Sequence, residues 1–227
     1  MSVEQDTDAV KDYFTREAER FDAIYEGASP SKLQAAVDSL FRTRTLNRRN
    51  SVVASLVDEG ANCFELGCGS GRTAVAIARE REARVHGIDV AAPMIGLANR
   101  LAHEAGVAER CRFEAADFGS FQPGERYDTF VAVGVLDYFD DPLPMLRRAA
   151  QEFAPGGSIV ISWPGKRMAL NIARRTWLST KHVRVSFYDD GDIARLAEAV
   201  GGRVERIVKT GLAPFLVDGM ARIALRS

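Results

Sequence analysis

Apolar and polar positions recur along this chain with two different periods. Val10, Tyr13, Phe14, Phe21, Ile24 and Tyr25 return at helical spacing among charged residues, which predicts an amphipathic N-terminal helix. Gly27-Ala28-Ser29-Pro30 interrupts it, and a second helical region is expected from about Ser31 to Val57. After Gly60 the pattern alternates. Short apolar runs at Cys63–Leu66, Arg84–Asp89, Cys111–Ala116, Tyr127–Val133 and Ser158–Trp163 read as strands. Helical patterns fall at Thr73–Glu80, Pro93–Ala105, Leu143–Phe153 and Asp192–Val200, with Pro93 and Pro142 where a first helical turn accepts proline. Strands that alternate with helices imply a mostly parallel sheet covered on both faces. The end of the chain differs. Arg203–Lys209 and Gly219–Arg226 alternate as strands with no helix between them, so a terminal antiparallel pair is expected at one edge. That makes seven strands, read as a single domain with a helical cap over 1–58 and a core over 59–227.

Composition narrows the class only a little. The 227 residues suffice for one α/β domain, and 46% hydrophobic with 27% charged residues is ordinary for a globular protein. Lys+Arg 30 against Asp+Glu 31 leaves a formal charge of −1, so bulk electrostatics points to no particular partner. The acidic N-terminus has no apolar core of the kind a secretory signal carries, and no apolar run reaches membrane-spanning length. Cys63, Cys68 and Cys111 include no C-x-x-C pair, which suggests reduced thiols and a cytoplasmic setting. His86, His103 and His182 are scattered without metal-ligand spacing, so no metal is expected.

The chemistry concentrates in Cys63-Phe64-Glu65-Leu66-Gly67-Cys68-Gly69-Ser70-Gly71-Arg72-Thr73, a strand running into a glycine-rich turn and a helix. Glycines there let a backbone approach a ligand closely at the carboxyl end of a strand. Two frames fit. From Gly69, the run Gly69-x-Gly71-x-x-Ala74 followed by Asp89 satisfies a dinucleotide fingerprint. From Glu65, the run Glu65-x-Gly67-x-Gly69-x-Gly71 resembles the first motif of the class I S-adenosylmethionine-dependent methyltransferases.

Three features favour the second frame. Glu65 ends the first strand, where this family uses an acid. Asp89 and Asp117 end the next two strands, in Gly87-Ile88-Asp89 and Ala115-Ala116-Asp117-Phe118. The closing strand pair resembles the family's late reversed strand. Tyr127–Leu136 and Phe153–Val160 are also similar to its fourth and fifth strand signatures. The resemblance implies a Rossmann-like methyltransferase fold, α/β with N-terminal cap helices, that binds S-adenosylmethionine across the strand ends. It implies that Gly67, Cys68, Gly69 and Gly71 approach the amino-acid part of the cofactor, together with Glu65. By the same resemblance Asp89 grips the ribose, with Val90 and Met94 beside it. Asp117 accepts from the adenine amino group with Phe118 stacked alongside, and the backbone around Gly134 faces the methionine. Phe14-x-x-x-Ala18-x-x-Phe21-Asp22 resembles the entry helix of family members that act on biosynthetic intermediates, which makes Phe21 and Tyr25 lid residues. Taken singly, each acid has a plainer reading; Asp89 could cap the helix that begins near Pro93.

Methyl transfer needs alignment, exclusion of water and, for an oxygen nucleophile, a base. Asp137 and Tyr138 lie just after the fourth strand, and Asp137 is either that base or a solvated loop acid. Asp140 and Asp141 read as caps of the following helix, and His182 is a lesser candidate. Two acid-free stretches are basic. Ser39–Val57 carries Arg42, Arg44, Arg48 and Arg49, and a basic insert at 164–188 carries Arg174, Arg175 and Arg184. They suggest a small anionic substrate, against the plainer reading of a solvated face or an oligomer contact. The alternatives are an NAD-dependent oxidoreductase on Gly69, Gly71, Ala74 and Asp89, which lacks a Tyr-x-x-x-Lys pair, and an RNA-binding or RNA-modifying protein, disfavoured by few aromatics among the arginines and near-zero charge.

Overall fold

The structure, a computed structural model, describes residues 48–165, 185–210 and 218–226. Most of the expected N-terminal cap and most of the basic insert lie outside these residues. A helical segment at 48–54 leads into β1 (Asn62–Leu66), α1 (Arg72–Glu80), β2 (Arg84–Asp89), α2 (Ala92–Glu104) and β3 (Cys111–Ala115). Then come β4 (Thr129–Ala132), α3 (Leu143–Arg148), β5 (Ser158–Pro164), α4 (Asp190–Ala199), β6 (Gly202–Thr210) and β7 (Asp218–Leu225). The seven strands form one sheet in the order β3-β2-β1-β4-β5-β7-β6. Pairings from β3 through β5 are parallel, whereas β7 is antiparallel to both β5 and β6. The expected terminal pair is present, with the later strand inserted between β5 and β6.

Alternation along the central strands divides the core in two. Cys63, Val85, Val131 and Val160 face Val53, Leu56, Ile77 and Ala98 on one side of the sheet. Phe64, Phe130, Ile159 and Ile161 face Leu146, Phe153, Ile193 and Ala197 on the other. Sheet strands buried on both faces explain the near-continuous apolar runs in the sequence. Arg222 of β7 crosses to the first layer, donating to Leu56 O at 2.7 Å, Asp58 Oδ2 at 2.6 Å and Glu205 Oε2 at 3.0 Å.

Element ends depart from the pattern where local hydrogen bonds intervene. α4 starts at Asp190 rather than Asp192, because Asp189 and Asp192 form a reciprocal capping box with both bonds at 2.9 Å. β4 is shorter than its apolar run, since the Tyr127 N–H turns away to Phe153 O. The helix expected over Leu143–Phe153 is α-helical only to Arg148 and widens to a π-turn over Ala149–Phe153. No helix among the described residues is long and apolar enough to cross a membrane.

Candidate active site

β1 and β4 are neighbours, and the chain leaves β1 toward β2 on one side and β4 toward β5 on the other. This is the switch point of the sheet, where loops diverge and leave a crevice at the strand ends. The glycine loop after β1 forms one wall. Gly67 and Cys68 both donate to Ile88 O, at 2.8 and 3.0 Å, which folds the loop back onto the end of β2. Gly67 and Gly71 have φ of 68° and 78°. A Cβ on Gly67 would stand 2.6 Å from Val135 Cγ2, and one on Gly71 would stand 2.9 Å from Ala98 Cβ. Glycine at 67 therefore brings the loops after β1 and β4 together. Glycine at 71 seats the start of α1 on α2.

The three strand-end acids adopt different states. Glu65 is 2% exposed, and its Oε2 is buried without a hydrogen-bond partner. Burial and then the nearby Asp89 charge push its carboxyl up to about 8, against a lowering by the Ala74 N–H. Asp89 does not cap α2, whose N-cap is Ala91. Its Oδ2 accepts the Gly69 N–H and its Oδ1 accepts the Ala91 N–H, both at 2.9 Å, so it locks the glycine loop to β2. Burial still raises its pKa. Asp117 is exposed; its Oδ2 accepts from the Ser120 N–H at 3.0 Å and from Ser120 Oγ at 3.2 Å.

Above β4 and β5, Ser162 Oγ accepts from the Gly134 N–H at 2.8 Å and from Arg49 Nη2 at 3.3 Å. Gly134 has φ of 70°, and Arg49 Nε is buried without a partner. Asp137 is no solvated loop acid. It is 2% exposed, in the 3-10 turn Leu136–Tyr138, and its carbonyl accepts the Ser186 N–H at 2.7 Å. Asp141 Oδ1 accepts the Leu143 N–H at 3.0 Å at the start of α3, although the N-cap residue of that helix is Pro142. Tyr188 donates to Phe139 O at 3.4 Å, and burial pushes its hydroxyl up to about 12.

The remaining expected residues divide by side chain. Val90 is half-buried beside Asp89, and Met94 is buried with Ala91. Tyr138 is half-buried. Cys68 turns its side chain inward, where a Cβ on Gly87 would meet it at 2.8 Å, so only its backbone faces the loop's outer side. Phe118 requires a correction. Its ring is buried against Phe130 and Phe153, with centroids 5.8 and 5.2 Å away, so core packing takes the faces meant for an adenine. Phe21, His182, Arg174, Arg175 and Arg184 lie outside the described residues. Ser162, Tyr188 and Arg148, which no motif of the sequence marked, bond to the loops after β4 and β3: Ser162 to Gly134, Tyr188 to Phe139, and Arg148 to Phe118 and Phe121. Ser162 had one legible mark, a hydroxyl inside a fully buried apolar strand.

These residues fit S-adenosylmethionine: the buried, unpaired Oε2 of Glu65 and a cradle that Cβ atoms would fill lie together beside Asp89. A methyltransferase-domain family matches residues 36–207, well over half of the chain. Trans-aconitate 2-methyltransferase of Methylobacterium nodulans is 30% identical over 187 residues, spanning 69% of this chain and 70% of that protein. Ubiquinone biosynthesis O-methyltransferase of Xanthomonas campestris pv. campestris is 31% identical over 116 residues, and the match spans 48% of that protein. The fold is similar to that of magnesium protoporphyrin IX methyltransferase from Synechocystis PCC 6803 with bound SAH. The TM-score is 0.76 at 23% identity, covering 98% of this chain and 100% of that one. The chain belongs to the methyltransferase-domain family, and its cofactor is S-adenosylmethionine. The oxidoreductase and RNA readings are not favoured.

Proposed function

We propose that this enzyme transfers a methyl group from S-adenosylmethionine to a small anionic biosynthetic intermediate. The observation that carries the site assignment is the buried Glu65 carboxyl, whose Oε2 has no hydrogen-bond partner, beside the positive-φ glycine loop. Glu65 and the backbone of Gly67–Gly71 hold the amino-acid end of the cofactor. Asp89, already fixed by two backbone N–H groups, presents its remaining lone pairs to the ribose diol, with Val90 and Met94 beside it. Asp117 accepts from the adenine amino group through Oδ1, and the Phe118 backbone stands next to it. The cofactor supplies an activated methyl on a sulfonium, so the protein aligns the acceptor and excludes water.

Gly134 and Arg49 line the methionine side, and Asp137 orients or deprotonates the acceptor, with Tyr138 adjacent. His182 is a second base candidate. Arg174, Arg175 and Arg184 clamp the acceptor's negative charge. The anionic assignment has two supports: the acid-free basic stretches of the sequence, and a relative named for trans-aconitate, itself a carboxylate. Calorimetric titration with S-adenosylhomocysteine, and separately with NADH, tests the cofactor site. The expected result is binding of S-adenosylhomocysteine alone, weakened about tenfold or more in Asp89→Ala, as loss of charge-assisted hydrogen bonds implies. Binding of NADH alone would overturn the reading.

A further inference from the structure

We propose that Arg148 is a positioning residue for the adenine end of the cofactor site, holding the turn after β3 so that Asp117 reads the adenine amino group. This rests on the assignment of Asp117 to adenine. The turn itself is short, glycine-containing and exposed at Asp117, Gly119 and Ser120. Its internal bonds all return to Asp117: Phe121 N–H to Asp117 O at 2.9 Å, Ser120 N–H and Oγ to Asp117 O at 3.3 Å each, and Ser120 N–H and Oγ to Asp117 Oδ2 at 3.0 and 3.2 Å. Such a loop is ordinarily mobile. Here one guanidinium gathers its carbonyls. Arg148 Nη1 donates to Phe118 O and, at 3.5 Å, to Gly119 O, while Nη2 donates to Phe121 O.

The cation is itself held on every side. Nε donates to Glu152 Oε2 at 2.7 Å, and the guanidinium carbon lies 4.8 Å from the Phe118 ring centroid and 5.4 Å from that of Phe153. A planar fork can serve carbonyls at several angles while stacking on aromatic faces, which an ammonium cannot do. At its other end the turn is fixed to the ribose acid's strand, because the Ala116 N–H donates to Asp89 O at 3.0 Å. The turn is therefore pinned at both ends. Asp117 Oδ2 is spent on Ser120, and Oδ1 makes no hydrogen bond among the described residues. Ser120 sets the carboxylate within the turn, and the residue that sets the turn carrying both Asp117 and Ser120 is Arg148, about thirty positions along the chain on another element.

The test compares S-adenosylhomocysteine with S-inosylhomocysteine, which lacks the amino group, by calorimetry on the full chain, alongside thermal melts. The wild-type protein is expected to prefer the adenine ligand about tenfold, the worth of one well-placed hydrogen bond. Arg148→Gln should lose most of that preference, as Asp117→Ala does, and Arg148→Lys should not restore it. Glu152→Gln, which leaves the fork to the carbonyls intact, should keep it. If Arg148→Gln does not fold, Arg148→Lys carries the same comparison. A merely structural arginine would lower the melting temperature and both affinities while preserving their ratio, and that result would overturn the proposal. So would a wild-type protein that binds both ligands equally. Failure of the wild-type protein to bind S-adenosylhomocysteine at all would instead sink the cofactor reading beneath it.

Discussion

At Glu65 two demands meet in one side chain. In the proposed site it meets a cationic amino group as a carboxylate, yet burial and Asp89 push the carboxyl up to about 8, which favours its protonated form at neutral pH. An ammonium placed beside it stabilises the carboxylate, so binding lowers that pKa. Ligand binding between neutrality and pH 8 is then expected to release protons, and affinity to rise with pH across that window. Titration with S-adenosylhomocysteine in buffers of different ionisation enthalpy measures the release. Glu65→Gln should abolish it and weaken binding; an unchanged proton count in that variant would place the titrating group elsewhere. The acid's position was legible from the glycine motif, whereas its protonation was not, because desolvation depends on what packs over it.

Elements meet in this protein through loops rather than through long interfaces at the site. The turn after β1 and the turn after β4 approach each other at Gly67 and Val135, closely enough that glycine is needed there. Gly67→Ala adds a methyl 2.6 Å from Val135 Cγ2 at a φ of 68°. Strain of about 1–3 kcal/mol for a non-glycine residue in that region, plus the clash, should weaken cofactor binding by more than about tenfold. Adding Val135→Ala removes the clash but not the strained φ, so it should recover part of the affinity. Full recovery would show that φ carries no cost there. The glycine was visible in the sequence, but its partner was not, since Val135 follows it by almost seventy positions.

Across the whole molecule, pH enters stability through a buried histidine as well. His86 on β2 lies 2.7 Å from Tyr127 Oη through Nδ1 and 2.5 Å from Glu114 Oε1 through Nε2, so it ties β2, β3 and the approach to β4 together. Burial lowers its pKa, and the Glu114 bond opposes that shift; the Arg112 charge lowers it further and those of Glu114 and Glu125 raise it. Because the folded pKa lies below the unfolded one, the fold favours the neutral ring. Its contribution is complete above the unfolded value of roughly 6.5 and is lost as pH falls through the folded pKa. Urea unfolding at pH 7.5 and pH 5 should show a loss of stability on acidification that is smaller in His86→Gln. Equal losses in the two proteins would exclude His86 as the cause.

The sequence by itself determined the order of elements, the parallel core with its reversed late strand, the acidic strand ends and the glycine turn. All of these are local: period, turn chemistry and strand-end position are written in neighbouring residues. Tertiary structure alone decided the rest. It inserted β7 between β5 and β6, buried Asp137 and turned the Phe118 ring into the core. It also brought Ser162 under Arg49 and gathered the turn after β3 onto Arg148. Each outcome depends on which distant residue lies opposite, and burial and pairing across the sheet are properties of the packed chain rather than of any stretch of it.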